Sequence, residues 1–139
     1  ISADLKRMIE TSDFIMRTEL PRSAIPAALT GMDLLVLPYN PQERYLNLTY
    51  PTKIFEYIGA AKPILCTKCE PLMTIDDMGG FMYADYCPEE MAKAIEYLIA
   101  HPEVRAEMGR ALHRIREDHT WTERASRIYH GIRSLYITV

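Results

Sequence analysis

The chain has 139 residues, 48% hydrophobic and 25% charged, the balance of a single soluble globular domain rather than of a disordered or fibrous chain. Its formal charge of −3 gives no electrostatic case for nucleic acid or an anionic membrane as the principal partner. No apolar run approaches the roughly 20 residues of a membrane span, and the 3 sparse cysteines fit a reducing compartment, so a cytoplasmic location is expected.

In chain order, Asp4 to Glu10 reads as a short helix with Leu5, Met8 and Ile9 on one side. Phe14 to Met16 is a brief apolar run with the character of a strand. Pro21 to Thr30 is helical, carrying Ile25, Ala28 and Leu29 at helical spacing, with Gly31 placed to end it. The apolar run Leu34 to Leu37, entered from Asp33, is stopped by Pro38 and has the bounds of a buried strand. A polar loop follows to Tyr50. Pro51 then opens an amphipathic helix ending near Gly59, and Ile64 and Leu65 begin a second strand straight after Pro63. Pro71 to Met78 makes a helical turn before Gly79-Gly80, and Phe81 to Tyr83 forms a last short strand.

From Pro88 the periodicity is helical only. Pro88, Glu89 and Glu90 make a good helix start, because proline lacks an unwanted N–H and acids suit the positive end of the dipole. Met91, Ala94, Ile95 and Leu98 form the buried stripe of this helix, which His101-Pro102 breaks. A second helix carries Val104, Met108, Leu112 and Ile115 on one face. Thr120 to Glu123 has capping-box spacing and opens a third, with Ala125, Ile128, Ile132 and Leu135 expected inward and Trp121 as a packing anchor. The fold class is α/β: a parallel sheet with flanking helices and a helical carboxyl-terminal tail.

Strand, loop, helix, strand from Asp33 to Leu65 is a βαβ unit, and open parallel sheets bind ligands at the carboxyl ends of their strands. On the helix from Pro51, Ile54, Phe55, Ile58 and Ala61 gather on one side, while Lys53, Glu56, Tyr57 and Ala60 share the other. If the apolar side holds the helix to the sheet, Lys53 and Glu56 project together near its start. Backbone N–H groups, the dipole and the Lys53 charge favour an anion there, and Glu56 would accept hydrogen bonds from a diol such as a ribose. A nucleoside diphosphate presents both features. The competing reading is an exposed i, i+3 ion pair worth roughly 0.2–0.5 kcal/mol.

Three ordered pieces, DLLVLPY, YPTKIFEYIGAAKPIL and HPEVRAEMGRALHRIREDHTWTERASRIY, resemble the carboxyl-terminal domain of GT-B glycosyltransferases of the group 1, or GT4, type. The resemblance covers nearly the whole chain and implies a Rossmann-like domain that binds a nucleotide-diphosphate sugar and transfers the sugar, a hexosyl transfer with retention in carbohydrate biosynthesis. It implies that Lys53 approaches the donor diphosphate with the N–H groups of Thr52 and Lys53, and that Glu56 hydrogen-bonds the ribose. Lys53 and Glu56 are thus the catalytic pair. Tyr50, Pro51, Thr52, Lys53 and Glu56 form the nucleotide site, with Tyr39 and Asn47 as donor-sugar contacts. The family's better-known form has a first glutamate where Leu48 stands here; Asn47 or the Glu43-Arg44 pair are its candidate replacements. Residues 1–139 are read as one domain that opens on Ile1 without the family's first two strands or its amino-terminal acceptor domain. That acceptor domain, in the same enzyme, is the expected partner. The stretch by itself is expected to be inactive and prone to self-associate through uncovered strand edges.

No cofactor and no metal are expected, because the chain has no D-x-D motif and no paired carboxylates near the site. Cys66 and Cys69 are formally a C-x-x-C, but no second pair completes a zinc site, and buried or incidental thiols are the favoured reading for all three cysteines, Cys87 included. The glycines form neither G-x-G-x-x-G nor a Walker loop. His101, His113, His119 and His130 lie in the helical tail without an H-E-x-x-H pattern and are assigned to surface or capping positions. Arg105, Arg110, Arg114 and Arg116 alternate with Glu103, Glu107, Glu117 and Asp118 as a solvated helix face. The alternative function is a non-enzymatic α/β nucleotide-binding or signalling module. A receiver would need an acid where Pro38-Tyr39 ends the strand.

Overall fold

The computed structural model describes residues 2–49, 51–75 and 79–136. Three strands, β1 (Leu35–Leu37), β2 (Ile64–Thr67) and β3 (Phe81–Ala84), form a parallel sheet in the order β1-β2-β3. Leu35, Ile64 and Phe81 lie in one register row, so alternate residues of all three strands share a face. β2 is the middle strand and is buried along its whole length, as expected of a parallel strand covered on both sides.

Each face carries its own apolar cluster. Leu35, Leu37, Ile64, Cys66 and Phe81 point to one side and meet Ile54 and Ile58 of α3 (Lys53–Ala60) and Leu112 and Ile115 of α6 (Pro102–Ile115). Leu65 and Ala84 point to the other and meet Leu98 of α5 (Pro88–Ala100) and Met108 of α6, with Met91, Ala94, Ile95 and Val104 packed around them. The stripes read from the sequence for α5 and α6 are therefore the buried ones. Two short helices precede β1: α1 (Ala3–Glu10), capped by the Ser2 hydroxyl on the Leu5 N–H, and α2 (Ile25–Thr30), entered through a 3-10 turn at Arg22–Ala24. A single helical turn, α4 (Glu70–Met73), follows β2 in place of the longer Pro71–Met78 segment; residues 76–78 lie outside the described residues.

Two expectations fail, and for one reason: apolar periodicity does not say whether a partner is present. Phe14 to Met16 forms no strand, and Phe14 and Met16 are 90% and 83% exposed, with no strand paired to this segment among the described residues. The helix read at Asp4 to Glu10 is present as α1, with Leu5 and Met8 exposed. The second failure is α7 (Trp121–Tyr136), whose stripe faces outward: Ile128, Ile132 and Leu135 are exposed, and so is Ala125. Trp121 is no packing anchor. It is 75% exposed, with the Arg124 guanidinium 5.7 Å from its ring centre. The capping residue is as expected, the Thr120 hydroxyl accepting from the Glu123 N–H at 3.2 Å.

The link from α3 back to β2 is tight. Ala61 takes the left-handed conformation, φ 53° and ψ 40°, and its N–H donates to the Ile58 carbonyl, closing the helix in a left-handed cap. This conformation crowds a Cβ against the backbone and is the usual place for glycine. Ala61→Gly is therefore expected to raise stability by up to about 1 kcal/mol, read as a higher denaturant midpoint with unchanged slope. Gly109 of α6 cannot be treated likewise, since a Cβ there would stand 3.1 Å from the Ala61 carbonyl oxygen.

Candidate functional site

The carboxyl edge of the sheet is where β1 runs out at Pro38 and where α3 begins. Ile54 and Ile58 have no exposed surface, so burial of their side chains fixes which way α3 faces. Each contributes about 1.5–3 kcal/mol by leaving water. Thr52, Lys53 and Glu56 are left exposed on the outer side. Tyr57 and Ala60, assigned from spacing to that same side, are half-buried and pack against the core.

Thr52 is the N-cap residue, and its side chain makes no capping hydrogen bond among the described residues. The N–H groups of Ile54 and Phe55 turn back to the carbonyls of Pro51 and Thr52, at 3.0 and 3.2 Å. An anion at this helix end would meet the N–H groups of Thr52 and Lys53, which precede them, along with the Lys53 ammonium and the positive end of the dipole. Lys53 and Glu56 form no ion pair with each other among the described residues. The competing structural reading of this pair is thereby not realised.

Glu56 borders a groove of about 320 Å³ between α2 and α3. Its walls are Ile25, Pro26, Leu29 and Thr30 on one side and Glu56, Gly59 and Ala60 on the other, with Arg22 at the entry to α2. The groove is apolar along its length and polar at Arg22 and Glu56, the build of a small-molecule site. At Gly59 the absent side chain leaves open space, since a Cβ there would touch nothing within 4 Å. A second hollow of about 360 Å³, formed by α1 and the segment after it, contains none of the residues of this site.

Tyr39 follows β1 and is half-buried. Its carbonyl accepts a 2.5 Å hydrogen bond from the hydroxyl of Thr67, a fully buried residue at the end of β2, which pins the start of the loop to the sheet. Burial pushes the Tyr39 phenol above its usual range, with Tyr45 and Cys69 adding to the shift. The Tyr57 phenol is raised in the same way, by burial first and then by Tyr39 and Glu56. The loop between is not loose. Asn40 closes a turn on the Gln42 N–H, and Leu46, in a 3-10 turn at Arg44–Asn47, is buried. Asn47 ends that turn, and its side chain lies outside the description, as does the whole of Tyr50. Leu48, where a first carboxylate would stand, is 79% exposed.

Sequence reasoning missed Arg22, Thr67 and Tyr57. Arg22 reaches the groove because α2 packs beside α3, Thr67 meets Tyr39 because β1 and β2 are adjacent, and Tyr57 is turned toward the core. It also missed Arg105, which donates to the carbonyls of Leu98 and Ile99 and closes the end of α5 instead of sitting on a purely solvated face. Of the other charges of that face, Arg110 and Arg114 pair with Glu107 and Arg116 with Glu117 at the surface, and such contacts add little to stability.

An α/β domain with a parallel sheet flanked by helices on both faces is a Rossmann-like domain. The family model described as glycosyl transferase-like matches residues 15–130, most of the chain, and the chain belongs to that family, as a glycosyltransferase domain. No curated protein and no solved structure gave a significant match. Among the described residues no helix is long and apolar enough to cross a membrane, and no group of three or more His, Cys, Asp or Glu side chains is placed to hold a metal ion.

Cys66 and Cys69 are buried and Cys87 is half-exposed, which fits packing rather than redox chemistry for the C-x-x-C pair. Burial raises the Cys69 thiol above its ordinary value, partly offset by a backbone hydrogen bond at Leu72, so it stays protonated at neutral pH. Titration of the native chain with an aromatic disulfide reagent at pH 7.5 is expected to label one thiol quickly, Cys87, and the other two only on unfolding. Rapid labelling of two or three would contradict that.

Proposed function

We propose that this chain is the donor-binding, carboxyl-terminal part of a GT-B glycosyltransferase of the group 1 type. It would take a nucleoside-diphosphate sugar and transfer the sugar with retention to an acceptor held by an amino-terminal domain of the same enzyme. One observation carries the reading. Glu56 sits in the α2–α3 groove one turn from Lys53 at the start of α3, at the carboxyl edge of a parallel sheet. A nucleoside diphosphate fits this arrangement in one direction. Its diphosphate lies at the helix start on Lys53 and the N–H groups of Thr52 and Lys53, its ribose hydroxyls donate to Glu56, and its base enters the groove. The sugar then extends toward the loop that carries Tyr39 and Asn47, with Pro51 beside the phosphates.

The chemistry asked of the protein is to stabilise charge on the departing diphosphate. A fixed ammonium and oriented N–H groups do this without reorganising as the bond breaks, and they act most strongly where the charge is growing. In the intact enzyme, Glu56→Ala is expected to weaken donor binding by roughly 1.5–3 kcal/mol, the worth of a hydrogen bond to a charged group. Lys53→Ala is expected to lower turnover by about a hundredfold with a smaller effect on donor affinity. Unchanged affinity and turnover in Glu56→Ala would remove the assignment.

Since the diphosphate charge is met by Lys53 and backbone dipoles, transferase activity is expected to survive dialysis against EDTA. Loss of activity that Mn²⁺ or Mg²⁺ restores would transfer this role to a cation.

A further inference from the structure

Resting on that donor-binding reading, we propose that Arg22 selects the base of the donor, favouring bases with a carbonyl oxygen at pyrimidine C4 or purine C6, as uracil, thymine and guanine have, over adenine and cytosine, which carry an amino group there. With the ribose on Glu56 and the diphosphate at Lys53, the base enters the adjoining groove, beside Pro26 and Gly59. Apolar walls hold any base by its faces and distinguish none of them. Discrimination falls to the polar groups at the groove, and these are few. Thr30 already donates its hydroxyl hydrogen to the Ala27 carbonyl at 2.9 Å and Glu56 is taken by the ribose, so Arg22 is the lining side chain with donors to offer. Arg22 is exposed at the groove entry and forms no ion pair among the described residues.

A guanidinium can only donate. It meets the O4 of uracil or thymine, or the O6 and N7 of guanine, with matching acceptors. Adenine and cytosine place an amino group at the corresponding position, so donor would face donor and the hydrogen bond to the guanidinium would be lost. Glu56 cannot correct this, because its carboxylate is an acceptor used on the hydroxyls.

The test is calorimetric titration of the intact enzyme with UDP, GDP, ADP and CDP. The expected result is that UDP or GDP binds about tenfold or more tightly than ADP and CDP, the scale of a well-matched arginine–base contact. Arg22→Ala should bring the favoured nucleotide down to the level of ADP and CDP without changing the latter. Arg22→Gln, whose amide also offers an acceptor, should strengthen ADP or CDP. Arg22 is at the surface, so both variants should fold as the parent does. Equal affinity for all four in the parent, a preference for ADP or CDP, or an equal loss for all four in Arg22→Ala would overturn the inference while leaving the donor site standing; the equal loss would assign Arg22 to the diphosphate. Binding of none of the four would overturn the donor reading and the inference together.

Discussion

The middle strand has no face to spare. Ile64, Leu65, Cys66 and Thr67 are without exposed surface, so an element must lie on each side of β2, and the rest of the domain is arranged to supply them. α3 covers one side through Ile54 and Ile58, and α5 covers the other through Leu98. α6 serves both, with Met108 in one cluster and Leu112 and Ile115 in the other. A helix held this way has little freedom of rotation about its own axis, since a change of one residue in phase would put Lys53 where Ile54 stands. Burying that charge unpaired would cost far more than the isoleucine contributes.

That constraint produces the site. With its apolar side committed to the sheet and its far end turned back at Ala61, α3 must start at the carboxyl edge of β1, and its first turn must point Lys53 and Glu56 outward. α2 then settles beside α3 through Leu29, and the shallow space left between the two helices is the groove. The loop that completes the edge is tied down at both levels, by the Thr67 hydroxyl on the Tyr39 carbonyl and by the buried Leu46. Polar groups at this edge are therefore presented by a rigid frame, and electrostatic stabilisation of a leaving group requires that.

The outer parts obey a different balance. α7 is regular over 16 residues and well capped, yet its side chains are almost all exposed. Its charged groups pair locally, Arg127 with Glu123 at 3.0 Å, and Arg124 and Arg133 lie over Trp121 and Tyr129. Local pairs of this kind support a helix by a few tenths of a kcal/mol each without deciding where it packs.

The sequence by itself determined the α/β class, the three strands that carry the sheet, the helices from Pro51, Pro88 and Pro102, and the outward placement of Lys53 and Glu56. Each of these rests on local signals: apolar runs bounded by proline, helical spacing of Ile54 and Ile58, prolines that can begin a helix but not continue one. Only the tertiary structure decided that Phe14 to Met16 pairs with nothing, that the apolar stripe of α7 points away from the body, and that Tyr57 lies inside rather than outside. It alone brought Arg22 across from another helix to the groove of Glu56. Periodicity records that a face is apolar, which is a property of one segment; burial needs a second surface to meet it, and that surface is supplied by residues elsewhere in the chain whose arrival no single segment encodes.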